Sequence, residues 1–225
     1  MSHRRNDATG EPQATAVLSV VPVTGAAIST LGAVLGSETL SASDDLAARI
    51  DELQLDLGVG PCWDALATGA PVIESDLRSP RETWPGFSEA IAHEAVAALF
   101  AIPLIVGPLR IGAMDLYHDE PRELAADELR RAIEYAGVLS RQVLRRAIAV
   151  SSDGAVEVVG RHSRRTVHQA TGFVIAQVGV SAEDAELLIH ASAFAEARPV
   201  QEIAEQIVER RRAFSRSGRL IEELR

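Results

Sequence analysis

Reactive chemistry in this chain must come from arginine, histidine, acids and one thiol, because all 22 basic residues are arginine and lysine is absent. That absence removes Schiff-base chemistry, the Walker-type phosphate lysine and the lysine of a phospho-acceptor receiver in their usual forms. The single cysteine, Cys62, follows Pro61 and opens a segment, Cys62 to Thr68, that reads as a short helix. A thiol near a helix N-terminus has a lowered pKa and can act as a redox or nitrosative sensor. Buried, the same thiol is only a small hydrophobe, and both readings stand at this point. Having no second cysteine to pair with, Cys62 agrees with a reducing compartment.

The acids offer little acid and base chemistry. Asp44 with Asp45, and Asp51 with Glu52, are neighbours on what read as solvated helices, and adjacent helical residues do not face each other. The six histidines show no metal-ligand spacing, so His93, His118 and Cys62 would share a metal only if the fold gathered them. GxSxG, HExxH and phosphate-loop motifs are absent. The sequence therefore predicts no catalytic residue, no metal and no cofactor. Trp63, Phe87, Phe100 and Tyr117 read either as the core of a sheet domain or as the lining of a small-molecule cavity inside it.

Arginine is the remaining resource. "RHSRRTVHQ" sets Arg161, Arg164, Arg165 and His168 at spacings of three and four, so that three of them share an exposed helical face. Arg198 falls at a helix junction, and Arg210, Arg211, Arg212, Arg216 and Arg219 form a second basic segment. A guanidinium presents a planar fork of donors to phosphate and stacks on exposed bases. The alternative is a solvated face with no partner. Residues 1–160 hold 12 Arg against 23 acids, net −11, whereas 161–225 hold 10 Arg against 9 acids, net +1. An acidic body repels polyanions at long range, so a nucleic-acid partner would bind the tail.

The elements that position these groups follow from periodicity. A polar start, residues 1–12, reads as disordered. "TAVLSVVP" suits a last helical turn, and "AAISTLGAVLGSETLSAS" reads as two short strands joined near Gly32 to Gly36. "DDLAARIDELQ" has helical spacing with Asp44 or Asp45 as cap, and "PVIE" returns as a strand. "FSEAIAHEAV" reads as helix, and "VAALFAIPLIV" and "RIGAMDLYHD" as a hairpin turning at Gly107-Pro108. A long helix starts at Ala126, with Leu129, Ile133, Ala136, Leu139 or Ser140, Val143 and Ile148 near one stripe, and residues 149–160 read as a linker.

Three helices follow. Val167, Ala170, Val174 and Val178 mark the face of the first, which Gly179 ends. "SAED" opens the second, with Ser181 as cap and Ala185, Leu188, Ile189, Ser192 and Ala193 inward. Pro199 begins the third, whose face is Val200, Ile203, Ala204, Ile207 and Val208. Alanines at 170, 185, 193 and 204 let helix axes approach, and Gly172 does the same or frees space for a ligand backbone. The fold class is thus α+β: an antiparallel sheet domain with flanking helices over 13–148 ending in a long connecting helix, a three-helix domain over 161–215, and a tail over 216–225. No run of 18 apolar residues and no signal-peptide pattern occur, so a cytoplasmic setting without a membrane is expected.

The segments "QATGFVIAQVGVSAEDA" and "ASAFAEARPVQEIAEQIVERRRAF" resemble the ANTAR family, a small helical RNA-binding module. "SASDDLAARIDELQ", "LGVGPCWDALATGAPV" and "RIGAMDLYHDEP" resemble the GAF sensory domains that precede such modules. Together the resemblances imply a dimeric, signal-responsive regulator that binds paired stem-loops in nascent RNA and prevents a terminator from forming. They imply RNA contacts at Arg161, Arg164, Arg165, His168, Gln169, Thr171, Gly172 and Arg198, a small-molecule ligand in the sheet domain, and a coiled coil from the connecting helix. In this chain His190 stands where relatives commonly carry arginine, and Thr171 where many carry lysine. A protein-interaction adaptor whose tail helices never touch RNA is the alternative.

Overall fold

A computed structural model of the chain describes residues 13–32, 34–78, 83–153, 165–196, 198–217 and 220–224. The chain divides into two compact units, 1–162 and 163–225.

The first unit begins with α1 (Gln13–Val17), β1 (Gly25–Thr30), β2 (Glu38–Ala42) and α2 (Asp45–Leu57). It continues through α3 (Pro61–Thr68), β3 (Val72–Glu74), α4 (Pro85–Ile91), β4 (Ala98–Val106), β5 (Leu109–His118) and α5 (Ala126–Asp153). The strands form one antiparallel sheet in the order β2-β1-β5-β4-β3. Its central strands are apolar on both faces because both faces are covered. Side chains alternate along a strand, so Phe100, Ile102, Leu104, Met114 and Leu116 meet α1 and α5 through Val17, Ala132, Ala136, Leu139 and Val143. Leu99 and Tyr117 turn the other way, toward Ala47, Ile50 and Phe87 of α2 and α4. Ala101 and Ala113 on that same face meet Leu55, Cys62 and Ala65 of α2 and α3. The approach of β5 to β1 needs a glycine: a Cβ on Gly112 would lie 1.9 Å from the Ser29 carbonyl oxygen.

Local signals behave as their chemistry requires. The Asp44 carboxylate accepts from the Ala47 amide at 2.8 Å and caps α2, and Gly58, at φ 65°, ends it. Helix α4 stops at Ile91, short of the expected run to Val96, because the Ala97 amide must donate to the His118 carbonyl at 2.8 Å to open the β4 ladder. Helix α5 continues to Asp153 and so takes up the start of the expected linker. Its buried stripe is Ala132, Ala136, Leu139 and Val143; Ile133 and Ile148, expected on that stripe, are exposed. The rest of the expected linker, and residues 1–12, lie outside the described residues.

The second unit holds α6 (Arg165–Val178), α7 (Ala182–Glu196), α8 (Val200–Val208), β6 (Ala213–Ser217) and β7 (Leu220–Leu224). The three expected helical faces come together, with Val167, Ala170, Val174, Val178, Ala185, Ile189, Ala193, Val200, Ile203, Ala204 and Ile207 all buried. Gly179, at φ 65°, donates its amide to the Ile175 carbonyl and turns the chain. Ser181 Oγ accepts from the Asp184 amide at 3.0 Å and donates to the Asp184 carboxylate at 2.8 Å. The corner between α6 and α7 is therefore a glycine stop followed within two residues by a side-chain cap.

The unit is not three helices with a loose tail. Strands β6 and β7, divided in the sequence reading between helical domain and tail, pair antiparallel, and Phe214 and Ile221 join the helical core. Arg212 enforces this closure: it is 3% exposed, and its guanidinium meets Glu196 of α7 at 2.7 Å, Gln206 of α8 at 3.0 Å and Glu223 of β7 at 2.5 Å.

Candidate functional site

The sheet face beneath α2 and α3 contains a buried polar cluster. On α2, Asp51 and Gln54 are three residues apart and share the inward side. Asp51 is 0% exposed and accepts from Ser29 Oγ at 2.8 Å and Thr39 Oγ1 at 2.5 Å. Helix α2 is therefore not solvated at this position, contrary to the sequence reading, because β1 and β2 supply hydroxyls that replace water. Gln54 accepts from the Cys62 amide at 2.9 Å and donates to Asp115 Oδ2. Trp63 closes the rim by donating its indole N–H to the Gln54 carbonyl at 2.8 Å. Gly60 makes room for this arrangement: it sits at φ 140°, and a Cβ there would lie 2.7 Å from Gln54 Cγ.

Asp115 is the residue that sequence reasoning missed. It sits in the middle of β5, 3% exposed, with Ala27 and Ala101 as register partners on either side. Its Oδ2 has the Gln54 donor, and its Oδ1 has no hydrogen-bond partner among the described residues. Burial first, then the negative charge of Asp51, push its carboxyl well above the usual carboxylate range, against the opposing pull of Gln54. Its signal in the sequence was an acid inside a run, "RIGAMDLYH", that otherwise suits a strand covered on both sides.

The same surroundings favour one of the two readings of Cys62. It is fully buried at the start of α3, and burial, followed by the charges of Asp115 and Asp51, raises its thiol well above the ordinary value. Its backbone contacts at the helix start pull the other way and are outweighed. Cys62 is accordingly a protonated small hydrophobe packed with Leu31, Leu55 and Ala65, not an activated thiolate.

The aromatic candidates do not line one space. Phe100 faces α5, whereas Phe87 and Tyr117 lie on the opposite side of the sheet and Trp63, on α3, packs against the separate cluster of Leu31, Leu55 and Ala65. Among the described residues no three His, Cys, Asp or Glu side chains stand together as a metal site. No helix among them is long and apolar enough to cross a membrane.

In the helical unit, Arg161 and Arg164 lie outside the described residues, and Arg165 opens α6. His168, Gln169 and Gly172 are exposed on α6. A Cβ on Gly172 would meet nothing within 4 Å, so this glycine does not serve helix packing and leaves open surface. Thr171 is buried and its hydroxyl donates to the Val167 carbonyl at 2.9 Å, so it turns into the bundle rather than toward a partner.

Arg198 at the helix junction and the second basic segment are largely engaged within the unit. Arg198 pairs with Glu202 at 2.7 Å and Glu196 at 3.5 Å, Arg211 pairs with Glu209, and Arg212 is interior. Arg216 donates to the Val178 carbonyl at 3.3 Å, Arg210 is exposed, and Arg219 lies outside the described residues. Acids within four residues of Arg198 and Arg211 partly offset their charge at the surface.

One antiparallel sheet between helical layers, with an acid cluster under α2 and α3, defines the first unit as an α+β module with a polar interior. The chain belongs to the GAF domain family, whose model matches residues 14–143. That membership points to small-molecule or signal sensing by the first unit. No curated protein matches the chain. Among solved structures it is similar to a domain of a putative two-component sensor histidine kinase from Sinorhizobium meliloti 1021, at 18% identity and TM-score 0.49, covering 62% of this chain and 91% of that one. It is similar to the GAF domain of the cyanobacteriochrome TePixJ at 16% identity and TM-score 0.46, covering 61% and 87%. It is also similar to the type II free methionine-R-sulfoxide reductase from Thermoplasma acidophilum at 14% identity and TM-score 0.46, covering 59% and 87%.

Proposed function

We propose that the chain is a signal-responsive, RNA-binding regulator of transcription antitermination, with a small-molecule site in its GAF unit and an RNA-binding helical unit. The GAF unit binds rather than catalyses, and the regulator works in the cytoplasm. The observation that carries the RNA reading is the α6 surface. There His168, Gln169 and the open backbone at Gly172 are exposed on α6, which Arg165 opens, and the bundle is built from the segments that carry the ANTAR resemblance. The exposed Ile133, Val138 and Ile148 on α5 support the homodimer, since apolar side chains left out of one core are available to a partner helix. A signal acts only if its binding favours one state of that dimer over another.

A filter-binding titration of the full chain with two-stem-loop RNA tests this. Affinity should fall as salt rises, because bound phosphates release counterions, and Arg164→Ala with Arg165→Ala should reduce it. Absence of RNA affinity at low salt for a folded dimer overturns the RNA reading. Thermal-shift measurements with anionic, neutral and cationic metabolites test the sensing reading separately, and a folded chain stabilised by none of them overturns it.

The protein-interaction adaptor is the second reading, favoured by the pairing of Arg198 and Arg211 with acids and by α7. Leu187 and Phe194 on that helix are 67% and 86% exposed, an apolar pair more suited to a protein surface than to phosphate. Phe194→Ser should abolish partner binding under this reading and leave RNA binding unchanged under the first.

A further inference from the structure

Helix α7 departs from its neighbours in the helical unit. Both α6 and α8 turn polar side chains outward, His168, Gln169 and Gln177 on the first, Glu202 and Glu205 on the second. Helix α7 buries Ala185, Ile189, Ser192 and Ala193 on one side, yet its opposite side is apolar as well. Leu187, Ala191 and Phe194 recur at i, i+4 and i+7, so they form one outward stripe, and all three are exposed. A helix that is apolar all round belongs in an interior. Large apolar side chains grouped on an exposed face mark a surface that something covers.

The ends of the stripe indicate what covers it. One turn before Leu187 stand the exposed acids Glu183 and Asp184, and beyond Phe194, just after α7 ends at Glu196, stands Arg198. Arg198 pairs with Glu202 in its own chain, but its Nη1 reaches Glu196 only at 3.5 Å and the side chain is 37% exposed, so donors remain. The stripe is thus negative at one end and positive at the other, with its smallest member between. A second α7 laid across it in the opposite direction, with the two Ala191 side chains at the crossing, satisfies both ends. Leu187 of each copy then meets Phe194 and Ala195 of the other, and Glu183 and Asp184 of each meet Arg198 of the other. Alanine at the crossing lets the axes approach to about 8 Å, and opposed helix directions set dipole ends of opposite sign together. A parallel copy would stack acid on acid, and a partner of one charge would suit one end only.

We propose that the outward face of α7 is a self-docking surface, on which a second copy of this chain packs its own α7 antiparallel about Ala191. The contact is isologous, each copy offering the same patch. It goes beyond the readings above, since it requires neither RNA nor the pairing of α5. Few side chains are covered, so the contact is of the weak kind that rises with concentration.

A cysteine placed at Ala191 in the full chain tests this. The native Cys62 is buried, which leaves the introduced thiol as the reactive one. Antiparallel crossing brings the two introduced Cα atoms within the roughly 7 Å that a disulfide allows. Ala182→Cys is the comparison, an exposed position at the start of the same helix. Antiparallel packing holds its two copies about 27 Å apart. Under mild oxidation at matched concentrations, Ala191→Cys should form a disulfide-linked dimer at least about tenfold faster than Ala182→Cys. Phe194→Ser added to Ala191→Cys should slow the cross-link severalfold, and Glu183→Arg, which sets a cation beside Arg198 of the other copy, should slow it less. Both side chains are exposed, so helix content should stay unchanged. No cross-link, equal rates at the two cysteines, or a rate unmoved by Phe194→Ser would each overturn the proposal. If Phe194→Ser weakens RNA binding and leaves the cross-link as it was, the face belongs to nucleic acid and the proposal falls. A missing cross-link leaves the RNA and adaptor readings standing, because neither needs a second α7.

Discussion

Two buried ionisable side chains, one in each unit, are handled in opposite ways. Arg212 meets two glutamates and a glutamine drawn from α7, α8 and β7, so its charge is neutralised by partners that also tie those elements together. Asp115 has one amide donor, an acid for its nearest charge and an oxygen left over. A fully paired interior charge acts as a fastening, and its value lies in what falls apart when a partner is lost. An under-paired one is a fault unless something arrives to complete it. Interior polarity alone thus does not mark a functional site; the balance of donors and acceptors does.

Breaking the fastening should give the largest effect. Arg212→Ala removes the guanidinium that Glu196 and Glu223 share and should destabilise the helical unit by about 3–5 kcal/mol, read as early loss of helix in urea with the GAF transition unchanged. Glu223→Gln keeps the shape and removes one charge, so its cost should be smaller, about 1–3 kcal/mol, by the same measurement. In the GAF unit, Gly60→Ala forces Gln54 away from Asp115 and strains a backbone at φ 140°. It should cost about 1–3 kcal/mol in the first transition and leave the second untouched.

The pH dependence sharpens the contrast further. The folded carboxyl value of Asp115 lies well above its unfolded one. Its contribution is therefore fully present below the unfolded value and is lost as pH rises through the raised folded value. Thermal melts should show the GAF unit weakening across that window, and Asp115→Asn should flatten the slope. Phe194→Ser should have the smallest effect, within about 0.5 kcal/mol, because that ring is 86% exposed and supports no core.

Much of this architecture was legible in the residues. The α6–α7 corner could be read from Gly179 and Ser181, since a left-handed stop and a hydroxyl cap are local chemistry. The alternating faces of β4 and β5 likewise follow from their own residues. What escaped depends on partners distant in sequence. Asp51 looks solvated on its helix until Ser29 and Thr39 arrive, 22 and 12 residues away. Arg212 reads as one of a basic run until Glu196 and Glu223 enclose it. The β6–β7 pair hid behind the arginines, because "AFSRSGRLIEEL" has weak alternation and gains its order from Phe214 and Ile221 packing on helices. Spacing identified the GAF elements, but only the fold could say which of their acids lacks a donor.

The clasp between Arg212 and Glu223 also sets an order of events during synthesis. Helices α6 to α8 leave the ribosome before the last strand does, and until Glu223 emerges the guanidinium lacks one of its two carboxylates. The unit can then complete its core only once β7 has been translated, so a growing chain carries an unfinished helical unit until that strand emerges. A ribosome stalled just short of that strand would display a folded GAF unit followed by a loosely packed bundle.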